Sequence, residues 1–255
     1  MTLRRIYQQQ LDSGQLLPDA AQAQVVEQLQ SLLLRLSGRT PVGRGNGLFR
    51  RLLKNGRESA PEPGLYICGG VGRGKTWLLD LFYNQLPFDD KLRLHFHRFM
   101  REVHQRLSRL KGEKDPLERV AADLAEKSRV LCLDEFIVSD IGDAMILGGL
   151  LRALFKRGVT LVITSNTEPH RLYQDGIQRA SFLPAIALLE KHTRVVQLTS
   201  STDYRLRYLK QVRVYHTPLG AAVNRMLEEE FRRLAPEQGQ CGGAISLFGR
   251  TIPVR

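Results

Sequence analysis

The sequence predicts an α/β fold, a five-stranded parallel sheet flanked by helices and built around a glycine-rich loop. Residues 69 to 76 read Gly-Gly-Val-Gly-Arg-Gly-Lys-Thr, filling every fixed position of G-x-x-x-x-G-K-[ST] directly after the apolar run Leu65 to Cys68. From Gly64 onward, short apolar runs alternate with helical stretches, the layout of parallel strands joined by helical crossovers. A later apolar run, Val130 to Leu133, ends in two acids, Asp134 and Glu135.

In chain order, Val25, Val26, Leu29, Leu32, Leu33 and Leu36 recur at helix spacing after Pro18-Asp19, which predicts a docking helix over 19–36. Gly, Pro, Arg and Asn crowd 38–47, and Ala60-Pro61-Glu62-Pro63-Gly64 punctuates the entry to the first strand. Strands are expected at Leu65–Cys68, Leu92–Phe96, Arg129–Leu133, Val159–Thr164 and Val195–Leu198. Helices are expected at Lys75–Leu86, Phe99–Leu110, Leu117–Lys127, Ile141–Arg157 and Ser181–Lys191. Leu219, Val223, Met226, Leu227, Phe231 and Leu234 are spaced for one face of a further helix over 217–234. The run Ile245 to Arg255 has strand-like composition but no following strand to pair with, unless it pairs back onto the core. The resulting division is a helical N-terminal extension (1–57), a nucleotide-binding core (58–200) and a partial C-terminal subdomain (201–255).

The 255 residues can bury a full core without disulfides or metal. An odd cysteine count, Cys68, Cys132 and Cys241, with two in expected buried strands, argues for a reducing compartment and inert thiols. No apolar stretch approaches the ~20 residues of a membrane helix and no secretory layout opens the chain, so a cytoplasmic protein is expected. The net charge of +12 favours acidic partners, with concentrations at Arg35 to Arg57 and at Lys91, Arg93, Arg98, Arg101, Arg106, Arg109 and Lys111. No aromatic interleaving or reader motif accompanies them, so nucleic acid is possible but not favoured over a solvated or protein-binding face.

Phosphate oxygens are bound in such a loop by inward-turned backbone N–H groups and the positive end of the following helix. Gly69, Gly70, Val71, Gly72, Arg73 and Gly74 supply the loop; Lys75 would reach the β- and γ-phosphates and Thr76 would ligate Mg²⁺. Asp134 would hold the same metal from the strand tip, and Glu135 would polarise the attacking water. The strand between these two motifs, together with the glutamate and the lack of an Asn-Lys-x-Asp base reader, favours ATP over GTP. Asn166, after the strand Val159 to Ser165, either senses the γ-phosphate and lytic water or caps the turn into Thr167-Glu168-Pro169. Arg179, at a helix boundary, either reaches a neighbouring subunit's γ-phosphate or forms a surface ion pair, with Arg171 a weaker candidate. His95 and His97 are expected on one side of their strand, packed and hydrogen-bonded, with His104 on the next helix; metal lacks partners at ligand spacing.

Taken together, residues 64–76, Leu94 to His104, Leu133 to Leu147, Thr164-Ser165-Asn166, Gly176 to Pro184 and Asp203 to Arg207 resemble the ZapE-type (AFG-like) AAA+ ATPases, from about Tyr7 onward. The resemblance implies a P-loop NTPase of the AAA+ type that hydrolyses Mg-ATP, forms a homo-oligomer, and acts in bacterial cell division on polymers of the tubulin-like FtsZ. It also implies Asn166 as sensor, Arg179 as finger, and an incomplete C-terminal subdomain, since members continue beyond residue 255 into lid helices. Two other readings stay open: a DNA-associated loader or remodeller using the same core, and a nucleotide-switched adaptor with little turnover.

Overall fold

The computed structural model describes residues 2–38, 61–199, 220–234, 243–247 and 250–254. Two short helices come first, α1 (Leu3–Asp12) and α2 (Ala20–Ser37). Asp19 starts α2 as the spacing predicts, its Oδ1 accepting from the N–H groups of Ala21 and Gln22 at 2.9 and 3.2 Å. Then follow β1 (Gly64–Gly69), α3 (Lys75–Gln85), β2 (Lys91–His95), α4 (Phe96–Arg109) and α5 (Pro116–Lys127). The unit is completed by β3 (Val130–Asp134), α6 (Ile141–Lys156), β4 (Thr160–Ser165), a 3₁₀ turn (Pro169–Arg171), α7 (Arg179–His192) and β5 (Thr193–Leu198).

The strands form one parallel sheet in the order β2-β3-β4-β1-β5. Strand alternation sends successive residues to opposite faces. Leu65, Ile67, Val130, Cys132 and Val162 pack with α1, α2 and α3 through Tyr7, Leu29, Leu32, Leu78 and Phe82. Tyr66, Cys68, Leu131, Leu133 and Ile163 pack on the other face with α4 to α7 through Phe99, Leu147, Leu151 and Phe182. Both faces are covered, as an all-parallel sheet requires. The chain leaves β1 for the far edge and returns through β3 and β4, so the order reverses at β1, where such folds open a ligand crevice beyond the strand carboxyl ends.

Two expectations need correction. β2 stops at His95 and α4 begins at Phe96, so His97 lies in the first helical turn and shares no strand face with His95. The buried residues Phe96, Phe99, Met100 and Val103 explain the early start, since together they make one continuous helical stripe. The C-terminal run is not unpaired: Arg205–Arg255 forms its own compact unit, in which β6 (Gly243–Leu247) pairs antiparallel with β7 (Arg250–Val254). Leu247 opposes Arg250, so the partner strand lay inside the run read as one strand. That unit also holds α8 (Ala221–Leu234). Cys241 and most of the first basic concentration lie outside the described residues. Among the described residues, no helix is long and apolar enough to cross a membrane.

Candidate active site

The loop between β1 and α3 turns twice through left-handed backbone, at Gly72 (φ 77°) and Gly74 (φ 81°). A side chain at Gly74 would also meet the Gln22 amide, since a Cβ there lies 3.0 Å from Nε2. That amide donates to the Arg73 carbonyl at 3.0 Å, so α2 braces the loop from behind. Sequence spacing gave no sign of this tie, which joins residues 51 positions apart.

Lys75 begins α3 and is buried, its ammonium donating to the carbonyls of Gly69 and Gly70 at 2.7 and 2.6 Å. The ammonium of Lys75 is thus held over the loop's own backbone. Thr76 follows, and its hydroxyl donates to Asp134 Oδ1 at 3.3 Å. Asp134 is fully buried at the tip of β3. Its Oδ1 also accepts from the Thr164 hydroxyl, and its Oδ2 accepts from Arg93 Nη2 at 3.1 Å. Sequence reading placed Arg93 in a basic surface cluster; the structure turns it inward onto Asp134 and Asp80.

Glu135 takes left-handed backbone (φ 54°), uncommon for a residue with a Cβ and a form of strain concentrated at functional sites. Its N–H bridges Asp134 Oδ1 (3.2 Å) and Thr164 Oγ1 (3.1 Å), which holds the turn. The carboxylate itself is exposed, with Oε2 3.9 Å from His95 Nδ1. Asp134 therefore sits locked inside the strand tip while the carboxylate of its neighbour reaches outward.

Asn166 is exposed one residue past β4, next to β1 in the sheet. It lines a cavity of about 590 Å³ with Gly69, Gly70, Glu168 and Arg171, adjoining the loop's first residues. Lys75 and Thr76 do not line that cavity, so it flanks the loop rather than covering it. Arg179 opens α7, half-buried, with Nη2 donating to the His170 carbonyl at 2.7 Å and its buried Nε without a hydrogen-bond partner. The structure thus brings Lys75, Thr76, Asp134 and Glu135 together. It places Asn166 beside the loop's start and ties Arg179 to the 3₁₀ turn.

His104 Nε2 lies 2.7 Å from Asp143 Oδ1, so it joins α4 to α6. The two described cysteines are inert by environment: burial raises the Cys68 thiol and pushes that of Cys132 up to about 12.

The residues fit a nucleotide with a divalent ion. A turned glycine loop, a lysine at its end, and a hydroxyl beside a buried carboxylate are the donor set that phosphate and a hard cation require.

Comparison with known proteins agrees with this geometry. A family model described as AFG1-like ATPase matches residues 1–255. The cell division protein ZapE of Escherichia coli K12 is 46% identical over 235 residues, covering 90% of this chain and 63% of that protein. Lactation elevated protein 1 homolog B of Danio rerio is 43% identical over 185 residues, covering 66% of this chain and 37% of that protein. This chain therefore spans less than two thirds of the length of either relative. Among solved structures, DnaI shares the fold at a TM-score of 0.50 and 18% identity, covering 72% of this chain and 88% of that one. The P-loop, the buried acid at the β3 tip and the whole-chain family match lead to one conclusion: the chain belongs to the AFG1-like ATPase family.

Proposed function

We propose that this chain binds Mg-ATP at the β1–α3 loop and hydrolyses it in an oligomer of like subunits, acting in cell division on FtsZ polymers. The observation that carries the ATPase reading is the meeting of Thr76 with Asp134 at 3.3 Å, 58 residues apart in sequence and joined only by the fold. The division role is supported by the 46% identity to ZapE.

The chain's own groups divide the work. Backbone N–H groups of residues 70–76 and the amino end of α3 bind phosphate oxygens. Lys75 would exchange its carbonyl partners for phosphate, while Thr76 and Asp134 would hold the metal, which would supply charge neutralisation. Glu135, exposed beside them, accepts the proton of the attacking water. Asn166 orients that water from the β4 tip. Arg179 serves a neighbouring subunit, which requires it to leave the His170 carbonyl.

The test is ATP-dependent sedimentation of the protein with FtsZ polymers, run beside Lys75→Ala. Wild type is expected to join the polymers and the variant to remain in solution. Wild type absent from the polymer pellet in every nucleotide state removes the division role and leaves the ATPase reading standing. The net charge of +12 favours a second reading, action on DNA. DNA binding that falls steeply with salt, without FtsZ binding, would select it.

A further inference from the structure

We propose that Arg93 is a stand-in cation for the Asp134 carboxylate, one that a divalent metal displaces and Asp80 receives. This rests on the Mg-ATP reading above. It follows from how the two oxygens of Asp134 are used. Oδ1 accepts from Thr76 Oγ1, from Thr164 Oγ1 and from the Glu135 N–H. These three donors exceed its two lone pairs, so Oδ1 is full. Oδ2 faces Arg93 Nη2 at 3.1 Å. A hard cation that binds carboxylate oxygen must therefore enter at Oδ2, where the guanidinium now lies.

The hold of Arg93 suits release. A lasting arginine–carboxylate pair is two-pronged. Here a single nitrogen, Nη2, serves both Asp134 Oδ2 (3.1 Å) and Asp80 Oδ1 (2.9 Å), and the buried Nε has no hydrogen-bond partner. Asp80 lies one turn of α3 beyond Thr76 with its side chain 44% exposed, so the guanidinium gains a wetter partner by a short shift. Asp134 is fully buried, where a neighbouring counter-charge offsets the loss of water around its carboxylate. Arg93 supplies it before nucleotide arrives and the metal supplies it afterwards. The device keeps free divalent ions out of the empty site, so metal enters with the phosphates that complete its ligand set.

Manganese binding, read by electron paramagnetic resonance on the full chain with and without ATP, tests this. Without nucleotide, Arg93→Gln is expected to bind Mn²⁺ about tenfold tighter than wild type, because a positive charge has left the metal position. With ATP, Asp80→Asn is expected to bind Mn²⁺ several-fold more weakly than wild type, because Arg93 stays on Asp134. A structural role for Arg93 alone predicts the opposite sign for Arg93→Gln. Unchanged or weaker Mn²⁺ binding by folded Arg93→Gln overturns the proposal, and so does an Asp80→Asn protein that binds as wild type does. Wild type that takes up no Mn²⁺ even with ATP overturns the Mg-ATP reading instead.

Discussion

Lys75 and Asp134 are buried and satisfied within one chain, whereas Glu135 and Asn166 are exposed at neighbouring strand tips and Arg179 is half-buried on α7. The first group answers to the sheet: α2 braces the loop, α3 sets Lys75 and Thr76, and β3 carries Asp134 against them. In the second group, Glu135 and Asn166 sit one residue past the ends of β3 and β4, and Arg179 opens α7. On the proposed reading, this difference separates binding from turnover. A site for phosphate and metal can be finished inside one subunit, while exposed groups at its rim are free to act on what enters from outside.

Substitutions sharpen that separation. The largest expected effect is at Arg179: Arg179→Ala should lower ATP turnover by about 10³-fold or more with ATP affinity within about twofold of wild type. Steady-state hydrolysis and equilibrium binding measured on the same preparation check this. Unchanged turnover would reduce Arg179 to its bond with the His170 carbonyl. Next, Glu135→Gln should cost about 10²-fold to 10³-fold in turnover and leave ATP bound, a combination that filter binding of labelled nucleotide detects. Asn166→Ala should cost about tenfold, since a lone orienting hydrogen bond is at stake.

The smallest effect lies away from the site, where His192 stacks on Phe155 with ring centroids 4.2 Å apart. Burial, then the charge of Lys191, lowers the His192 pKa below its ordinary value of about 6.5. The unfolded chain then binds more protons than the folded one, so this group's stabilisation is complete above about pH 6.5 and fades as pH falls through the lowered value. Melting curves of wild type against His192→Gln from pH 7.5 to pH 5 should diverge at the acid end by a few degrees at most, with turnover at pH 7.5 equal.

Much of this was legible in the sequence because it is local. The P-loop is contiguous, and the stripe Val25, Leu29, Leu32, Leu36 that docks α2 is read off helix spacing and is buried as expected. Each sheet strand lies within two residues of its expected bounds. What escaped is what the fold joins across distance. Nothing along the chain separates Arg93 from its solvated neighbours Arg98 and Arg101, yet the pairing of β2 with β3 sets it beside Asp134. Gln22 reads as one more polar residue of a docking helix until α2 is laid against the loop. The helix α1 escaped for another reason, since its buried Leu3 and Tyr7 make only one i, i+4 pair. The β6–β7 hairpin was taken for a single strand because Phe248-Gly249 is not a strong turn signal in an otherwise apolar run.

The central claim is that one subunit supplies the phosphate and metal site and its neighbour supplies Arg179. Mixing two inactive variants, Glu135→Gln and Arg179→Ala, tests it most directly, with ATP hydrolysis of the mixture compared with each variant alone. The account predicts recovered hydrolysis, because an intact Glu135 in one subunit then meets an intact Arg179 from the other. A mixture no more active than the average of its parts would contradict it.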